Sequence, residues 1–587
     1  MAIQLMAMRR MAMRIAPWEA IRRVPPAVLL LGLVWLPAYA QTPPSDSSPA
    51  ARTPSSAHGH YRIAGKVVNA LTGEPVSHAT VSALTEEDSQ TAASVQSDQE
   101  GHFALEALAA AKYQLAASKR GFRTASYDEH DNYSTAIVTG PGQATENLTF
   151  KLTPGATLRG VITTEGGDPV EGASVMVFKK PRPNEPGHHI SRFSEDTTDD
   201  TGAYEVNALP AGEYVVAVKA DPWYALHQSR QPRGIVYMDG AAAPDASAAL
   251  DVAYPITFYD GTTDESSATT IALSGGGREE ADITLHAVPA LHLTVETPRK
   301  PDGSIARAEL SETIFGTPVS AMTAGSMNAM RTGSTDFYGV APGHYELTQG
   351  DPPRVAELDA ATTQQIDAGL GTPTVMVSGT LRTASGSPLP DPMQMWMSSV
   401  DGAHQPASAP CVHGKFSVPS VAQGVWQMLA QSSSGTPLRI ASIATGGRAH
   451  PGSQFVVGDH PLSLVVTVTE SATRIEGFAK VPNAASNGSP PRGWHGVAGV
   501  MVVLVPSDLT TMEDLARRDQ SDSDGSFSLR DVVPGQYTVV AIQDGWELDW
   551  SRPDVISRYL PGGNPVTVTA NSGKVLSLSG PVPVQSR

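Results

Sequence analysis

Residues 525–540 of this 587-residue chain read GSFSLRDVVPGQYTVV. Apolar side chains alternate with other residues in each half of the stretch, at Phe527 and Leu529 and again at Tyr537 and Val539. A period of two over short runs that glycine and proline bound is typical of half-buried β-strands. The stretch therefore predicts a strand, a turn and a second strand that form a hairpin.

The same pattern occurs five times along the chain. It begins with a glycine, at Gly101, Gly202, Gly333, Gly414 and Gly525. It restarts ten residues later, at Ala111, Gly212, Gly343, Gly424 and Gly535, and two residues further on stands an aromatic, at Tyr113, Tyr214, Tyr345, Trp426 and Tyr537. A spacing repeated over a long chain indicates an array of one module.

Turn residues mark both ends of the first strand in each hairpin. Acidic residues precede the first glycine, as in Asp522-Ser523-Asp524-Gly525, and they suit a tight turn because Asp tolerates left-handed backbone and Gly adopts it freely. In the second turn, as in Pro534-Gly535-Gln536-Tyr537, the tyrosine ring is predicted to enter the core while its hydroxyl bonds a nearby backbone group.

A second shared block lies upstream of each hairpin. In the first unit it reads Ile63-Ala64-Gly65-Lys66-Val67 and then Gly73-Glu74-Pro75-Val76, and in the second Leu158-Arg159-Gly160-Val161 and then Gly167-Asp168-Pro169-Val170. The third unit is the most degraded, since Leu291 to Val295 lacks the glycine. The order strand, Gly-x-Pro turn, strand, acidic turn and hairpin predicts an all-β fold.

These motifs together resemble the carboxypeptidase regulatory-like domain, an Ig-like, transthyretin-like (prealbumin-like) β-sandwich. The resemblance is good in units one, two and five, partial in four and weak in three. Two segments outside the repeat, 254–264 and 559–563, look like the extra segment of multi-copy exported bacterial proteins of this kind. The resemblance implies a tandem array of about five sandwiches with a carbohydrate-binding-like fold, in an extracytoplasmic accessory or binding protein. It does not imply the peptidase that names the domain.

The chain divides at the ends of the repeats. Five arginines, the apolar run Ala27 to Leu36 and Ala38-Tyr39-Ala40 predict a signal peptide over 1–40, cleaved near Ala40, so we expect an extracytoplasmic protein, periplasmic or secreted. No later stretch is predicted to span a membrane. The remaining ranges are a Pro/Ser-rich linker at 41–59, module 1 at 60–153, module 2 at 154–289, module 3 at 290–373, module 4 at 374–470 and module 5 at 471–587.

Composition excludes some partners and predicts the state of the cysteine. The formal net charge of −18 repels phosphate backbones and argues against nucleic acid as a partner. The single cysteine, Cys411, has no intramolecular partner for a disulfide, and its place beside a predicted strand favours a buried apolar thiol over a reactive one.

Motifs for catalysis are missing. The sequence has no His-Glu-x-x-His, no Gly-x-Ser-x-Gly and no phosphate loop, so we predict neither an enzyme nor a cofactor. His188-His189 is a candidate for metal binding, but a solvated loop is the favoured interpretation of this pair. The acidic turns at Asp199 and Asp522 are candidates for calcium, although a structural turn explains them better because the turn recurs without the acids at Gly333 and Gly414.

Aromatic residues near modules 2 and 5 are the candidate ligand-binding residues. Aromatic rings stack on the apolar faces of sugars, and Asp549, Arg552 or Arg558 would bond the hydroxyl groups. A packing role competes for Trp223 and Trp546, because both stand nine residues after a module tyrosine, as Phe122 does. The candidates are Trp546, Trp550, Tyr559, Trp223, Tyr224, Tyr254 and Tyr259.

Two functions remain open at the level of sequence. In the first, the array is a non-catalytic exported protein that binds a polysaccharide or another cell-envelope component. In the second, it is a structural spacer or protein-interaction scaffold, for which the repetition supplies reach. Exposed aromatic clusters at modules 2 and 5 would favour binding.

Overall fold

A computed structural model describes residues 59–86, 89–182, 190–227, 248–297, 306, 308–323, 333–351, 353–367, 369–390, 392–432, 437–469, 473–483, 493–569 and 575–587. The predicted signal peptide, nearly all of the predicted linker, and His188-His189 lie outside these residues. Among the described residues, no helix combines the length and the apolar character that a bilayer crossing requires.

Modules 1 and 2 each contain two main sheets, and module 2 adds a two-stranded sheet of β14 and β19. In module 1 the sheets have the orders β4-β1-β8 and β3-β2-β5-β6, and in module 2 β12-β9-β17 and β11-β10-β13-β15. The strands of module 1 are β1 Tyr61–Asn69, β2 Thr80–Thr85, β3 Thr91–Gln96, β4 His102–Leu108, β5 Lys112–Ser118, β6 Ala125–Ser126, β7 Ile137–Val138 and β8 Leu148–Leu152. Those of module 2 are β9 Ala156–Thr164, β10 Ser174–Lys179, β11 Ser191–Thr197, β12 Ala203–Leu209, β13 Gly212–Lys219, β14 Val252–Ala253, β15 Thr257–Phe258, β16 Ile271–Leu273, β17 Arg278–Glu280, β18 Ile283–Leu285 and β19 Val288–Pro289.

Module 3 repeats the two-sheet plan, whereas backbone hydrogen bonds join the strands of module 4 into one continuous sheet, β30-β29-β32-β33-β36-β28-β31. The strands of module 3 are β20 Leu291–Glu296, β21 Glu309–Ile314, β22 Thr317–Thr323, β23 Ser334–Val340, β24 Gly343–Gly350, β25 Pro353–Ala360, β26 Gln364–Ile366 and β27 Thr372–Pro373. Those of module 4 are β28 Val375–Thr383, β29 Met393–Ser399, β30 Ala407–Cys411, β31 Lys415–Val421, β32 Gly424–Ser432, β33 Pro437–Thr445, β34 Arg448–Pro451, β35 Gln454–Val457 and β36 Leu462–Thr469.

Module 5 also has a continuous sheet, in the order β38-β37-β45-β42-β39-β40, and it adds short helices. Its strands are β37 Thr473–Pro482, β38 Trp494–Gly496, β39 Met501–Pro506, β40 Arg517–Gln520, β41 Ser526–Val532, β42 Gly535–Gln543, β43 Asn564–Val568, β44 Val575–Ser577 and β45 Val582–Ser586. The α-helices are α1 Met512–Leu515 and α2 Pro553–Ile556, and 3-10 turns cover Leu509–Thr511, Gly545–Glu547 and Ser557–Gly562.

The two strands of each repeat do not form the predicted hairpin. In module 5, β41 pairs with β37 while β42 pairs with β39, and in module 2 β12 pairs with β9 while β13 pairs with β10. The prediction was wrong because alternation shows only that each strand buries one face. Alternation does not distinguish two neighbouring strands of one sheet from two strands that face each other across a core.

The aromatic corner is confirmed in all five modules. Each aromatic ring is buried, and its polar atom donates to the carbonyl four residues earlier. The tyrosine hydroxyls donate to Ala109, Pro210, Ala341 and Val533 at 3.2, 2.8, 2.8 and 2.9 Å, and Nε1 of Trp426 donates to Ala422 at 2.9 Å. This bond satisfies the one polar group of an otherwise apolar side chain, and it fixes the point where the chain crosses between the sheets.

The acidic turn is also confirmed as left-handed at its glycine. Gly202 has φ of +74°, and an added Cβ would lie 2.4 Å from the carbonyl oxygen of Ile162 on β9. Asp199 Oδ1 accepts hydrogen bonds from the backbone N–H groups of Thr201 and Ala203, at 2.9 and 3.0 Å. The hydrogen bonds from Thr201 and Ala203 lower the pKa of Asp199. The acid therefore serves the turn as an acceptor for backbone N–H groups.

Five hydrophobic cores fall within the five modules, between residues 63 and 152, 156 and 285, 291 and 366, 375 and 468, and 475 and 582. Cys411 is buried in the core of module 4, as predicted. Two smaller clusters lie on the outer sheet faces of modules 2 and 5. In module 2, Ile256 and Phe258 of the segment 254–264 cover apolar side chains of β10 and β13. In module 5, Trp546, Trp550 and Ile556 cover those of β39 and β42, and Tyr559 of the segment 559–563 packs against this layer.

Candidate ligand-binding surfaces

The aromatics of module 5 lie in a packed layer. Trp546 and Trp550 are each 8% exposed, and Tyr559 packs against the same cluster. The indole of Trp546 stacks on the ring of His130 from module 1, with centroids 5.1 Å apart and planes 11° apart, and its Nε1 donates to the carbonyl of Gly499 at 3.0 Å. The interpretation of Trp546 as a packing residue is therefore confirmed.

Trp550 faces a cation. The guanidinium carbon of Arg518 lies 4.4 Å from the centroid of the Trp550 ring, a cation–π geometry. The indole nitrogen of Trp550 is buried, and the described residues offer it no hydrogen-bond acceptor. Because stacking on a sugar needs an open ring face, the predicted surface at Trp546 and Trp550 is not formed. Of its predicted polar partners, Arg552 pairs instead with Asp554 at 3.0 Å, and Arg558 donates to the backbone of Asp554.

In module 2 the candidates separate into buried and exposed residues. Tyr254 is buried, and Tyr259 packs against the core of the module. Burial raises the pKa of the Tyr254 hydroxyl to about 12, with a further contribution from the neighbouring Tyr224. These two tyrosines support the module from within.

Trp223, in contrast, is 88% exposed, so the packing role that its spacing suggested was wrong. The chain leaves β13 and forms a turn in which the N–H of Ala225 donates to the carbonyl of Pro222 at 3.0 Å. Pro222 and Ala225 are buried, which places Trp223 and Tyr224 at the tip of the turn. Their rings meet edge to face, 5.7 Å apart with planes at 86°. Residues that stand nine positions after a module tyrosine therefore differ in burial, since Trp223 is exposed and Trp546 is buried.

Contacts between the first and last modules are a feature that sequence reasoning missed. The described residues from 59 onward form one compact unit, in which the acidic turn of module 5 docks against residues 128–138 of module 1. The N–H of Ser523 donates to the carbonyl of Ala136 at 2.9 Å, and Lys112 pairs with Asp522 at 2.5 Å. Asp522 was one of the calcium candidates. Among the described residues, no group of three or more His, Cys, Asp or Glu side chains is placed to hold a metal ion.

Successive modules also contact one another through polar pairs. Asp251 of module 2 bonds His227 at 2.8 Å and His292 of module 3 at 2.6 Å. Nδ1 of His404 in module 4 lies 2.8 Å from the carboxylate of Glu346 in module 3, and Ser453 Oγ of module 4 donates to Asp514 of module 5 at 2.8 Å. The repeat in the sequence did not predict any of these contacts.

The pair of His404 and Glu346 predicts a pH-dependent stability. The hydrogen bond to Glu346 and the charges of Glu346 and Asp401 raise the pKa of His404, although burial opposes them. Because the folded pKa is raised, the stabilisation is complete below the unfolded value of about 6.5 and is lost as the pH rises through the folded value. We expect His404→Gln to flatten this part of the profile of melting temperature against pH, measured by scanning calorimetry. His460→Gln, at an exposed site outside this junction, is the control, and an equal effect of both variants would contradict the prediction.

Comparisons with known proteins agree with the module structure. A family model for the carboxypeptidase regulatory-like domain matches residues 62–153 and 157–231. A second model, for the second beta sandwich domain of NOMO1-like subunits of the BOS complex, matches residues 475–558. A search of curated proteins gives no significant match.

Three solved structures illustrate what the chain is similar to. The Bacillus anthracis TIE protein is 11% identical, with 69% of this chain and 72% of that chain covered and a TM-score of 0.17. A streptococcal ancillary pilin is 12% identical, with 52% and 99% covered and a TM-score of 0.18. A variant of BcpA, the major pilin subunit of Bacillus cereus, is 11% identical, with 73% and 99% covered and a TM-score of 0.14. At these TM-scores the likeness supports no argument about function. The family matches do define the fold: residues 62–153 and 157–231 are two carboxypeptidase regulatory-like domains in an all-β protein built from repeated sandwich modules.

Proposed function

We propose that this protein is a non-catalytic, extracytoplasmic binding protein that holds a carbohydrate of the cell envelope or its surroundings at the Trp223 turn. The exposure of Trp223 is the observation that carries the proposal. A tryptophan that is 88% exposed leaves a large apolar ring in water, and a turn anchored by buried Pro222 and Ala225 holds it there.

The surroundings of Trp223 suit a sugar ring. The apolar C–H face of a sugar packs on an indole, while its hydroxyls need donors and acceptors at the edge. Tyr224 stands edge-on to Trp223, and the exposed carboxylate of Asp221 lies two residues before it. Both supply polar groups of the kind that fix the orientation of a ligand. The absence of catalytic motifs from the sequence supports binding without chemistry.

The test is affinity electrophoresis of the purified protein through gels that contain candidate polysaccharides. We expect at least one polysaccharide to retard the wild type, and Trp223→Ala to weaken that retardation by about tenfold or more, as removal of an aromatic anchor does. Trp494→Ala is the matched control, because Trp494 is also exposed but lies on β38 of module 5. Absence of retardation on every polysaccharide, or equal retardation of both variants, would refute the proposal.

A scaffold is the second candidate. It is supported by the docking of module 5 on module 1, since hydrogen bonds and ion pairs between modules fix their mutual orientation. A scaffold needs such fixed orientations and no ligand at Trp223. If none of the polysaccharides in the gels retards the wild-type protein, this second function is favoured.

A further inference from the structure

The contact between modules 1 and 5 carries excess negative charge on both of its sides. Its charged side chains, those of module 1 first, are Glu86, Lys112, Asp128, Asp131, Arg518, Asp519, Asp522, Asp524 and Arg530. Module 1 brings three acids and one base, a formal net charge of −2, and module 5 brings three acids and two bases, a formal net charge of −1. Like charges on two facing surfaces weaken their association.

Ion pairs that cross the contact offset part of this repulsion. Each of the three bases pairs with an acid of the other module: Lys112 with Asp522 at 2.5 Å, Arg530 with Glu86 at 2.5 Å and Arg518 with Asp131 at 3.1 Å. Arg182 of module 2 also reaches Asp131, at 3.5 Å. The bases of the contact are thereby engaged with acids other than Asp519.

Asp519 lies at the edge of the module 5 sandwich that module 1 covers. It stands opposite the core residue Val502 in the register of β40 and β39, so its side chain is on the inner face of the edge strand. Its Oδ2 accepts a hydrogen bond from the N–H of Ser528 on β41, at 2.5 Å. Glu86 of module 1 approaches the same edge, because it pairs with Arg530, two residues after Ser528.

The two bases beside Asp519 on β40 are engaged elsewhere. Arg517 donates to backbone carbonyls within module 5, and Arg518 points to the other face of the strand, where its guanidinium lies on the ring of Trp550. The titratable groups that face Asp519 are Asp522 of its own module and Glu86 and Tyr133 of module 1. Docking of module 1 therefore adds a like charge beside Asp519 and withdraws water from it.

Protonation of Asp519 removes this repulsion. Burial raises the pKa of Asp519 to about 7, and the charges of Asp522 and Glu86 add to the rise, while the hydrogen bond from the N–H of Ser528 opposes it. Because part of the burial and one of the two charges come from module 1, docking favours the protonated acid, and protonation favours docking. A pKa that is raised in the docked state means that docking is stabilised at acidic pH and that this stabilisation is lost as the pH rises through about 7.

We propose that the contact between modules 1 and 5 is a pH-dependent clasp, which proton uptake by Asp519 tightens and proton loss loosens. Acidic solution then holds the first and last modules together. Alkaline solution lets them part and uncovers the surface of module 1 at residues 128–138. The clasp lies outside the Trp223 turn, so this inference goes beyond the carbohydrate proposal and does not depend on it.

Hydrogen exchange of the purified protein, corrected for the intrinsic pH dependence of exchange, tests the clasp. The amides of Ala136, Val138 and Ser523 report it, because each donates a hydrogen bond across the contact. Between about pH 6 and about pH 8.5 we expect their protection in the wild type to fall by about tenfold, the ratio for an acid whose pKa of about 7 returns to its ordinary value when the modules part. Protection of β2, inside module 1, should not fall with it, because the module itself stays folded.

Variants of Asp519 show whether this acid is the source of the pH dependence. Asp519→Asn keeps an oxygen for the N–H of Ser528 and loses the charge, so its protection should stay at the acidic level over the whole range. Asp519→Ala is a second variant with the same expected profile. Asp508→Asn is the control and should keep the wild-type profile, because Asp508 is an exposed acid that caps another turn of module 5.

Each outcome decides the inference. A wild-type profile that falls with pH and Asp519 variants that stay at the acidic level support the clasp. Wild-type protection that does not change with pH overturns it. Asp519 variants that fall as the wild type does, or that stay at the alkaline level throughout, also overturn it. Circular dichroism at each pH establishes that the proteins compared are folded.

Discussion

Replacing Trp546 with alanine is expected to lower the free energy of unfolding by about 3–5 kcal/mol, the range for removal of a buried aromatic. The indole is 8% exposed, stacks on His130 and covers the outer face of β39 and β42. Its removal opens a cavity in module 5 and takes away one side of the contact with module 1. Urea unfolding followed by fluorescence and circular dichroism measures the loss.

Trp223→Ala is the matched control for this experiment, because it makes the same chemical change at a residue that is 88% exposed. We expect it to change the free energy of unfolding by less than about 0.5 kcal/mol. Equal destabilisation by the two variants would contradict the assignment of Trp546 to packing. Trp546→Phe, which keeps an aromatic ring, should recover part of the loss and shows that the defect is one of packing.

Lys112→Met is expected to cause the second large effect, about 2–3 kcal/mol at neutral pH. Removal of one partner from a fully buried ion pair costs about 3–5 kcal/mol, and the lower figure allows for the partial exposure of the lysine side chain, 31% against 10% for Asp522. Without the ammonium group, Asp522 is left with the like charge of Glu86 as a neighbour. An uncompensated carboxylate then remains at the contact between modules 1 and 5.

The pH dependence of this variant has a definite sign. Burial raises the pKa of Asp522, and Lys112 partly opposes the rise. Removing Lys112 raises the folded pKa further, so the folded variant binds a proton more readily than the unfolded chain. The destabilisation should therefore be largest at alkaline pH and shrink as the pH falls and Asp522 becomes protonated.

A double variant separates charge from shape. Lys112→Met with Asp522→Asn leaves no unpaired charge and keeps an oxygen for the N–H of Ala136, so we expect it to recover more than half of the loss. Arg552→Met, which breaks an exposed pair with Asp554, is the control and should leave the free energy of unfolding close to that of the wild type. Hydrogen exchange at residues 136–138 reports the contact directly. Unchanged protection there in Lys112→Met would contradict the prediction.

The sequence by itself determined the module. Glycine at a left-handed position, a polar atom on the corner aromatic and alternation along each strand are local requirements, and local requirements are visible as spacings between nearby residues. For this reason the positive φ of Gly202, the bond from Tyr214 to Pro210 and the burial of Cys411 agree with their predictions.

Only the tertiary structure decided which strands pair and which aromatics meet solvent. Alternation gives β41 and β42 the same pattern whether they share a sheet or face each other across a core. Trp223 and Trp546 occupy equivalent positions, yet one stands at the tip of a turn in water while the other lies against His130, which belongs to the module at the other end of the array. The exposure of a residue depends on which distant parts of the chain pack against it. The spacing of nearby residues in the sequence does not predict those contacts. The repeat specifies the sandwich, and contacts between modules decide which of its surfaces remain free to bind.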